Sequence, residues 1–308
     1  MNSENGERLN ALTVDVEDFY QVSAFESYIP RGEWENYPQR VVDSTQTLLE
    51  LFAEREVHGT FFILGWVAAR YPQLVRDIAA MKHEIGFHSS SHALIYNMTL
   101  DSFREELHRG KSDLEAIIGQ PVQAFRAPSF SITHKSLWAF DVLAEEGIRY
   151  DSSVFPIHHD RYGIPSAPVA IHAVTTSAGT LWEFPPSVVS CFGVNFPVSG
   201  GGYFRLYPYW LTRRCLRRID RKCQRPFVFY VHPWEVDPKQ PKLPFGSRAT
   251  QFRHRVGLGK NLTKLGHLLR DFAFAPISTV IENYRAEHPE LESQARSYAE
   301  FSTEQGGK

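Results

Sequence analysis

The chain has 308 residues, of which 43% are hydrophobic, and its formal net charge is −2. This composition indicates a folded protein with a large core and excludes disorder and a generally basic nucleic-acid-binding surface. Three cysteines without C-x-x-C spacing argue against a disulfide framework, and no apolar leader or membrane-length apolar run is present, so we expect a cytoplasmic protein.

Short apolar runs alternate with helical patterns through the first half of the chain. Predicted strands cover residues 12–18, 59–65, 85–88, 124–128 and 148–154, and predicted helices run from about Ser44, over 66–82, from an N-cap at Thr99, and over 135–146. This βαβα order predicts parallel strands with helices outside, in an open sheet or a closed barrel.

The alternation stops in a Pro- and Gly-rich insertion at about 155–207. Because long structureless segments are uncommon in compact domains, we expect short strands there, with loops that shape a binding site. The remaining predictions are a helix over 209–221, a strand over 227–231, a helix over 262–272 and a strand at 277–280. We expect one domain over residues 1–284 and a frayed polar tail over 285–308.

Polar residues follow several predicted strands at the point where each strand ends. The carboxyl ends of parallel strands form the edge of an α/β fold that carries active sites. Two histidines four positions apart with one carboxylate could hold a divalent metal, typically zinc, and leave one position open for water. A second carboxylate and a separate histidine would complete the groups needed for metal-assisted amide hydrolysis. These residues are Asp15, Glu17, Asp18, His88, His92, Arg126, Asp151 and His232.

Five motifs in a fixed order resemble those of the polysaccharide deacetylase superfamily, carbohydrate esterase family 4 with its NodB-type homology domain. They are TVDVED (13–18), HSSSH (88–92), FRAPSF (125–130), YDSSVFP (150–156) and YVHPWE (230–235). The resemblance extends from about Leu12 to the 280s and is strongest to the exosortase-associated (PEP-CTERM) subgroup. It implies a distorted (β/α)7-type barrel.

The resemblance also implies a general base and a metal site. Asp15 takes the place of the general-base aspartate, and His88 and His92 take the places of the metal histidines. One divalent ion is implied, zinc first, with cobalt or nickel as alternatives. The first motif departs from the usual adjacent aspartates: strand alternation favours Glu17 as the third ligand, whereas a bend at the strand end would present Asp18.

Further roles follow from the other motifs. Arg126 would hold Asp15 in its ionised form, and a backbone N–H near Ser129 would bind the oxyanion. His232 would be the general acid, with Asp151 as a partner that raises its pKa. Trp234 is a candidate for stacking on a sugar ring, with core packing as the alternative.

These roles lead to a prediction of an enzyme that removes N-acetyl groups from hexosamine units of a bacterial polysaccharide or its precursor and releases acetate. Tyr230 stands where a leucine normally lines the acetyl pocket, so the shape of the substrate is left open. The alternatives are a cyclic-amide hydrolase of the allantoinase type and a glycan-binding protein with a degenerate site.

Basic residues recur with helical spacing over residues 213–225. Most such stripes are solvated helix faces. The functional alternative is attraction to an anionic partner, such as a lipid-diphosphate-linked glycan, and hence peripheral association with membrane-bound polysaccharide machinery. An N-acetylated glycan is the expected substrate, no nucleic acid is expected as a partner, and the oligomeric state is left open.

Overall fold

The computed structural model describes residues 8–298 and residue 300. Its strands alternate with helices in the order that the hydrophobic pattern predicts for the first half of the chain. The strands are Leu9–Val16 (β1), Thr60–Ile63 (β2), Glu84–Phe87 (β3), Ala124–Phe125 (β4), Tyr150–Asp151 (β5), His172–Thr176 (β6), Gly179–Glu183 (β7), Val188–Cys191 (β8), Val194–Pro197 (β9), Val228–Val231 (β10) and Ala273–Ala275 (β11).

The helices pack around these strands, and among the described residues none is long and apolar enough to cross a bilayer. They are Val41–Glu54 (α1), Gly65–Arg70 (α2), Pro72–Ala80 (α3), Leu100–Ile118 (α4), Ala139–Glu145 (α5), Gly201–Leu206 (α6), Tyr209–Arg217 (α7), Arg248–Arg255 (α8), Leu258–Asp271 (α9), Ile277–Glu287 (α10) and Glu290–Ser293 (α11). The predicted N-cap of α4 is confirmed, since the Thr99 hydroxyl accepts the Ser102 N–H at 3.2 Å.

Seven strands form a continuous parallel series in the order β10-β1-β2-β3-β4-β5-β7. β6 pairs antiparallel with β7, and β11 pairs parallel with β1. The segment after β7 returns to β10, where Ser187 Oγ accepts the Val228 N–H at 3.0 Å and the Ser199 carbonyl accepts the Tyr230 N–H at 2.8 Å. The sheet therefore curls towards closure, and the predicted (β/α)-type fold is confirmed.

Side chains alternate between two buried clusters on the two sides of this sheet. On β1, Leu12 and Val14 belong to the large cluster that also contains side chains of the surrounding helices. Ala11 belongs to the smaller cluster on the other face, and by strand alternation Thr13 and Asp15 share that face. The inner face of β1 thus changes from apolar to acidic towards its carboxyl end, where the candidate site lies.

The predicted strand at 277–280 is wrong. The strand lies earlier, at Ala273–Ala275, and Pro276 precedes the first turn of α10 with φ −56°. Proline lacks an N–H for a strand ladder and favours the start of a helix. Ile277, Val280 and Ile281 are buried, and their i, i+3, i+4 spacing is helical.

The predicted boundary at residue 284 falls inside α10, which continues to Glu287. Beyond it, Tyr298 is buried and its ring stacks on Phe140 at 4.6 Å between centroids, with an interplanar angle of 1°. The described part of the predicted tail is therefore packed against the fold rather than frayed. Residues 299 and 301–308 of that tail, and residues 1–7 of the predicted domain, lie outside the described residues.

Two further differences concern the middle of the chain. The predicted helix over 66–82 is divided into α2 and α3 at Tyr71, because Pro72 begins a new helix and proline disfavours a helical conformation in the residue before it. The insertion at 155–207 contains short strands as predicted. β6 joins the main sheet through β7, and β8 and β9 form a separate two-stranded sheet.

Gly86→Ala tests the close packing beneath the site. A Cβ at Gly86 would lie 2.5 Å from the buried Phe62 ring and 3.1 Å from the Ala124 carbonyl oxygen, so we expect a loss of about 1–3 kcal/mol in the free energy of unfolding, measured with urea. Gly259→Ala on α9 is the control, since nothing lies within 4 Å of its added Cβ, and it should cost nothing. Equal stability of the two variants would contradict this account.

Candidate active site

A cavity of about 350 Å³ opens at the carboxyl ends of the parallel strands. Asp15 and Glu17 reach it from the end of β1, His88 and His92 follow β3, and His232 follows β10. All five belong to the predicted set, so the structure brings together residues that are up to 217 positions apart in the chain. Arg126 and Asp151, also in that set, are fully buried and are not among the residues that line the cavity.

One group among the described residues could hold a metal ion. Single ligand atoms of Glu17, His88 and His92 lie within 4.8 Å of one another, and all three side chains are buried. His88 Nδ1 lies 2.7 Å from the Arg126 carbonyl oxygen, which can only accept, so Nδ1 carries the proton and Nε2 is free to bind a metal. Glu17 Oε2 lies 2.8 Å from His92 Nε2, but no donor is aligned with it as a hydrogen bond. A divalent ion would satisfy this buried oxygen, and the donor set suits zinc.

The chain bends sharply to aim both imidazoles at one point. Ser89 and His92 have φ values of 66° and 55°, in the left-handed region that non-glycine residues seldom occupy. Glu106 of α4 fixes this bend, because its Oε1 accepts the Ser89 hydroxyl at 2.6 Å and the Ser90 N–H at 2.9 Å. Glu106 is not among the predicted site residues, since nothing in the sequence near it connects it to the histidine motif.

The pKa shifts of two metal-site side chains agree with a ligand role. Burial raises the pKa of Glu17, but the opposing effect of His92, with that of His232, brings it to about 2. Burial lowers the pKa of His88 to about 4. A carboxylate and a neutral imidazole are the forms that bind divalent metals. Trp234 supports the arrangement, because its indole N–H donates to Glu17 Oε1 at 3.2 Å, and it thereby orients the carboxylate.

Asp18, the alternative ligand, lies outside this group. Its carboxylate is buried and accepts three backbone N–H groups: Phe19 at 2.9 Å, Arg40 at 2.6 Å and Val41 at 2.9 Å. The last two belong to the N-terminus of α1, where a carboxylate satisfies unpaired donors and interacts with the helix dipole. The geometry therefore favours Glu17 as the ligand and gives Asp18 a structural role.

Asp15 and Arg126 form a buried ion pair. Arg126 Nη1 donates to Asp15 Oδ1 at 2.7 Å and to the Thr13 hydroxyl at 2.8 Å. Its Nε and Nη2 donate to the carbonyl and hydroxyl of Ser152 at 3.2 and 2.9 Å. The guanidinium also lies 4.4 Å from the centroid of the Phe62 ring. Arg126 thus contacts polar groups along its edges and an aromatic ring on its face. The other carboxylate oxygen of the pair, Asp15 Oδ2, remains on the cavity side, 3.8 Å from His232 Nε2.

His232 is paired with Glu235 and not with Asp151. His232 Nδ1 lies 3.0 Å from Glu235 Oε2, which also accepts the His232 backbone N–H at 3.0 Å. Glu235 Oε1 accepts Arg205 Nε at 2.7 Å. Burial lowers the pKa of His232, but Glu235, together with Glu17 and Asp15, outweighs this effect and raises the pKa to about 9. Glu235 could have been found from the i, i+3 spacing in the last motif, whereas nothing in the sequence points to Arg205.

The prediction that Asp151 pairs with His232 is therefore wrong. Asp151 lies beside Glu183 on the neighbouring strand. Burial and the nearby Asp151 carboxylate together raise the pKa of Glu183 well above its usual range. Asp151 Oδ1 accepts the Ser153 hydroxyl at 2.6 Å, and Ser153 Oγ accepts the Ala127 N–H at 2.8 Å. Asp151 thus supports the chain next to Arg126.

Ser129 lies in the wall of the cavity with φ 50° and ψ 30°. Its hydroxyl is 2.6 Å from that of Ser23, which holds the turn after Pro128. Tyr230 lines the same cavity, and its ring packs edge-on against Phe130 at 5.2 Å between centroids. The Tyr230 ring therefore forms the wall of the cavity on the side of β10.

Two family models match successive parts of the chain. Residues 33–149 match the family described as polysaccharide deacetylase, and residues 152–282 match a domain of unknown function, DUF3473. Together with the curated relatives, the first match supports the polysaccharide deacetylase superfamily for this chain.

Several of the curated relatives are named as deacetylases of glycans. A peptidoglycan-N-acetylglucosamine deacetylase of Bacillus cereus is 25% identical over 36% of this chain and 45% of its own length. The peptidoglycan-N-acetylmuramic acid deacetylase PdaA of Bacillus subtilis is 27% identical over 40% and 46%, and a chitooligosaccharide deacetylase of Sinorhizobium fredii is 30% identical over 32% and 44%. The chain thus spans about half the length of the curated relatives it matches.

A solved structure supports the fold. The crystal structure of a provisionally assigned polysaccharide deacetylase from Mycobacterium smegmatis superposes with a TM-score of 0.59 and 22% identity, and the match covers 93% of each chain. At this identity the likeness shows the fold alone.

The variants Glu17→Gln and Asp18→Asn should show which of the two carboxylates is the metal ligand and which is structural. Glu17→Gln should lower the amount of metal retained after zinc loading and dialysis, because it removes the only carboxylate of the group. Asp18→Asn should retain wild-type metal content but lose about 1–3 kcal/mol in the free energy of unfolding, since it disturbs buried hydrogen bonds to three N–H groups. Elemental analysis and urea unfolding measure the two effects. The reverse pattern would make Asp18 the ligand.

Glu235→Gln should lower the pKa of His232. Loss of the negative charge beside Nδ1 destabilises the imidazolium, so the midpoint in metal-free protein should fall below the wild-type value of about 9. NMR titration of the imidazole resonances, assigned with His232→Ala, measures this. Asp151→Asn is the matched control and should leave the midpoint unchanged; a shift as large as that of Glu235→Gln would restore the predicted Asp151 pairing.

Proposed function

We propose, from the polysaccharide deacetylase match of residues 33–149 and from the geometry of the site, that the chain is a metal-dependent hydrolase that removes N-acetyl groups from hexosamine units of a bacterial polysaccharide or its precursor. The observation that carries the proposal is that candidate metal ligands, a separate carboxylate and a separate histidine lie at one cavity. The metal-binding group of Glu17, His88 and His92 lies beside a carboxylate, Asp15, and a histidine, His232.

A divalent metal held by Glu17, His88 and His92 would polarise the acetamide carbonyl and make a water molecule more acidic. Asp15 Oδ2, which faces the cavity while Arg126 holds Oδ1, would accept a proton from the attacking water. Arg126 balances the charge of this carboxylate and fixes its orientation. A backbone N–H near Ser129 would stabilise the oxyanion.

His232 would supply the second proton. Nδ1 is held by Glu235, which leaves Nε2 to donate towards the cavity. The raised pKa, about 9 in the metal-free protein, favours the protonated imidazole at neutral pH, which is the form that a general acid requires. When the C–N bond breaks, the nitrogen takes this proton and leaves as an amine, while the acetyl group keeps the oxygen of water and leaves as acetate.

Several narrower points remain predictions. They are zinc as the metal, membership of the exosortase-associated (PEP-CTERM) subgroup, a cytoplasmic location and peripheral association with membrane-bound polysaccharide machinery. The supporting relatives act, by their names, on peptidoglycan or chitooligosaccharides. Both glycan classes therefore belong in the first substrate panel.

Asp15→Asn should reduce acetate release by about hundredfold or more, because the amide cannot accept the proton. It should keep the wild-type metal content, whereas His88→Ala should lose both metal and activity. Asp101→Asn is the control, since its side chain is 94% exposed on α4. Acetate release from N-acetylated chitooligosaccharides and peptidoglycan fragments, with metal content, measures these effects.

Two outcomes would contradict the proposal. Hydrolysis of allantoin with no acetate released from any glycan would favour the cyclic-amide alternative. Glycan binding by the wild type without acetate release, unchanged in Asp15→Asn, would favour a binding protein.

A further inference from the structure

The outer part of the β8–β9 hairpin exposes apolar side chains. Its register pairs Val189 with Phe196 and Cys191 with Val194, which places these four side chains on one face. The other face is tied to the fold, since Asn195 Nδ2 donates to the Pro156 carbonyl at 2.7 Å. On the face with these four side chains, Val189 packs against the main core, whereas Val194 and Phe196 are 54% and 49% exposed, so the part of the face nearest the turn is uncovered.

The turn of this hairpin places a phenylalanine in an unfavourable backbone conformation. Phe192 and Gly193 have φ values of 50° and 77°, as in the type I′ turn, where Asn-Gly is the preferred pair. The Phe192 side chain is completely exposed and gains nothing from packing within the chain. Neither turn geometry nor core burial explains a large aromatic residue here, which points to a contact outside this chain.

Cations without a carboxylate partner lie beside the hairpin. Arg214, Arg218, Arg221 and Lys222 are exposed on α7 and its continuation. Within residues 8–298 none of the four has a carboxylate at ion-pair distance, although the same helix contains two arginines that do: Arg213 and Arg217 both pair with Asp271, at 3.0 and 3.6 Å. These four cations, which no described carboxylate balances, therefore form a positive strip on a protein whose net charge is −2.

This strip and the hairpin form one surface. Arg218 Nη2 donates to the Ser190 carbonyl at 3.4 Å, and Arg225 Nη2 to the Val188 carbonyl at 3.3 Å. Trp210, four residues before Arg214, is 65% exposed and adds a second aromatic side chain. We define the hairpin–helix surface as Phe192, Val194, Phe196, Trp210, Arg214, Arg218, Arg221 and Lys222.

We propose that the hairpin–helix surface docks this protein on an anionic lipid bilayer. Exposed aromatic and aliphatic side chains enter the boundary between head groups and acyl chains, and flanking cations bind negatively charged head groups. Phe192 stands at the tip of a turn, a shape suited to insertion, and Arg218, which contacts the Ser190 carbonyl, lies beside the hairpin for the head groups. The proposal does not depend on the catalytic function.

Vesicle sedimentation of the full chain tests the apolar part. The protein should pellet with phosphatidylcholine–phosphatidylglycerol vesicles and not with phosphatidylcholine alone, and salt should weaken binding. Phe192→Asn should reduce affinity about tenfold while its midpoint of thermal unfolding stays equal or rises, because asparagine tolerates positive φ. Metal content and acetate release from a soluble glycan should not change. Leu100→Asn is the control, because Leu100 is an exposed apolar residue on α4, and this variant should bind as the wild type does.

Charge reversal tests the cationic part. Arg214→Glu and Arg218→Glu should each reduce affinity for anionic vesicles at least about fivefold, whereas Arg55→Glu, an exposed arginine without an ion pair at the end of α1, should bind as the wild type does. No pelleting with either vesicle, equal pelleting with both, or full binding by Phe192→Asn and Arg214→Glu would overturn the proposal. In the first case the surface would be left to a protein partner.

Discussion

The buried ion pair between Arg126 and Asp15 is the constraint on which the site depends. Arg126 joins β1, through Thr13 and Asp15, to the segment after β5, through Ser152. A guanidinium with no exposed surface is tolerable only because its donors are used and its charge is balanced, and removal of either partner would leave an unpaired charge in the interior. The pair therefore fixes both the curl of the sheet and the direction in which Asp15 Oδ2 faces.

Two histidines at the same cavity are driven to opposite charge states by their surroundings. Burial lowers the pKa of His88 to about 4, whereas Glu235 raises that of His232 to about 9. The difference matches the two proposed roles, a neutral ligand and a protonated acid. Trp234 connects the metal-binding group to the proposed acid, since its indole N–H donates to Glu17 and its ring stacks on His232 at 5.4 Å between centroids.

The sequence predicts those parts of the site that follow from strand ends. The first-half strands are recognisable as apolar runs, so the meeting of Asp15, His88 and His232 at one edge follows from a parallel sheet alone. The partner of His232 does not follow from strand ends, because Asp151 also lies at one. It follows instead from the local i, i+3 spacing of Glu235, which the turn at Pro233 brings back to His232. The strand prediction at 277–280 is wrong because four residues are too few to show a period, whereas Pro276 before them and Ile281 after them both favour a helix.

The segment that matches the second family model contributes both to the cavity and to the hairpin–helix surface. His88, His92 and Arg126 fall within residues 33–149, whereas Arg205, His232 and Glu235 fall within residues 152–282. The second segment thus supplies the proposed acid and the ion pair that sets its charge. It also carries the hairpin–helix surface, which follows β7 and precedes β10. A single excursion from the sheet therefore provides both a wall of the cavity, at Gly201 and Gly202, and a surface suited to an anionic bilayer, so that membrane contact and access of a glycan to the cavity would be coupled through one segment.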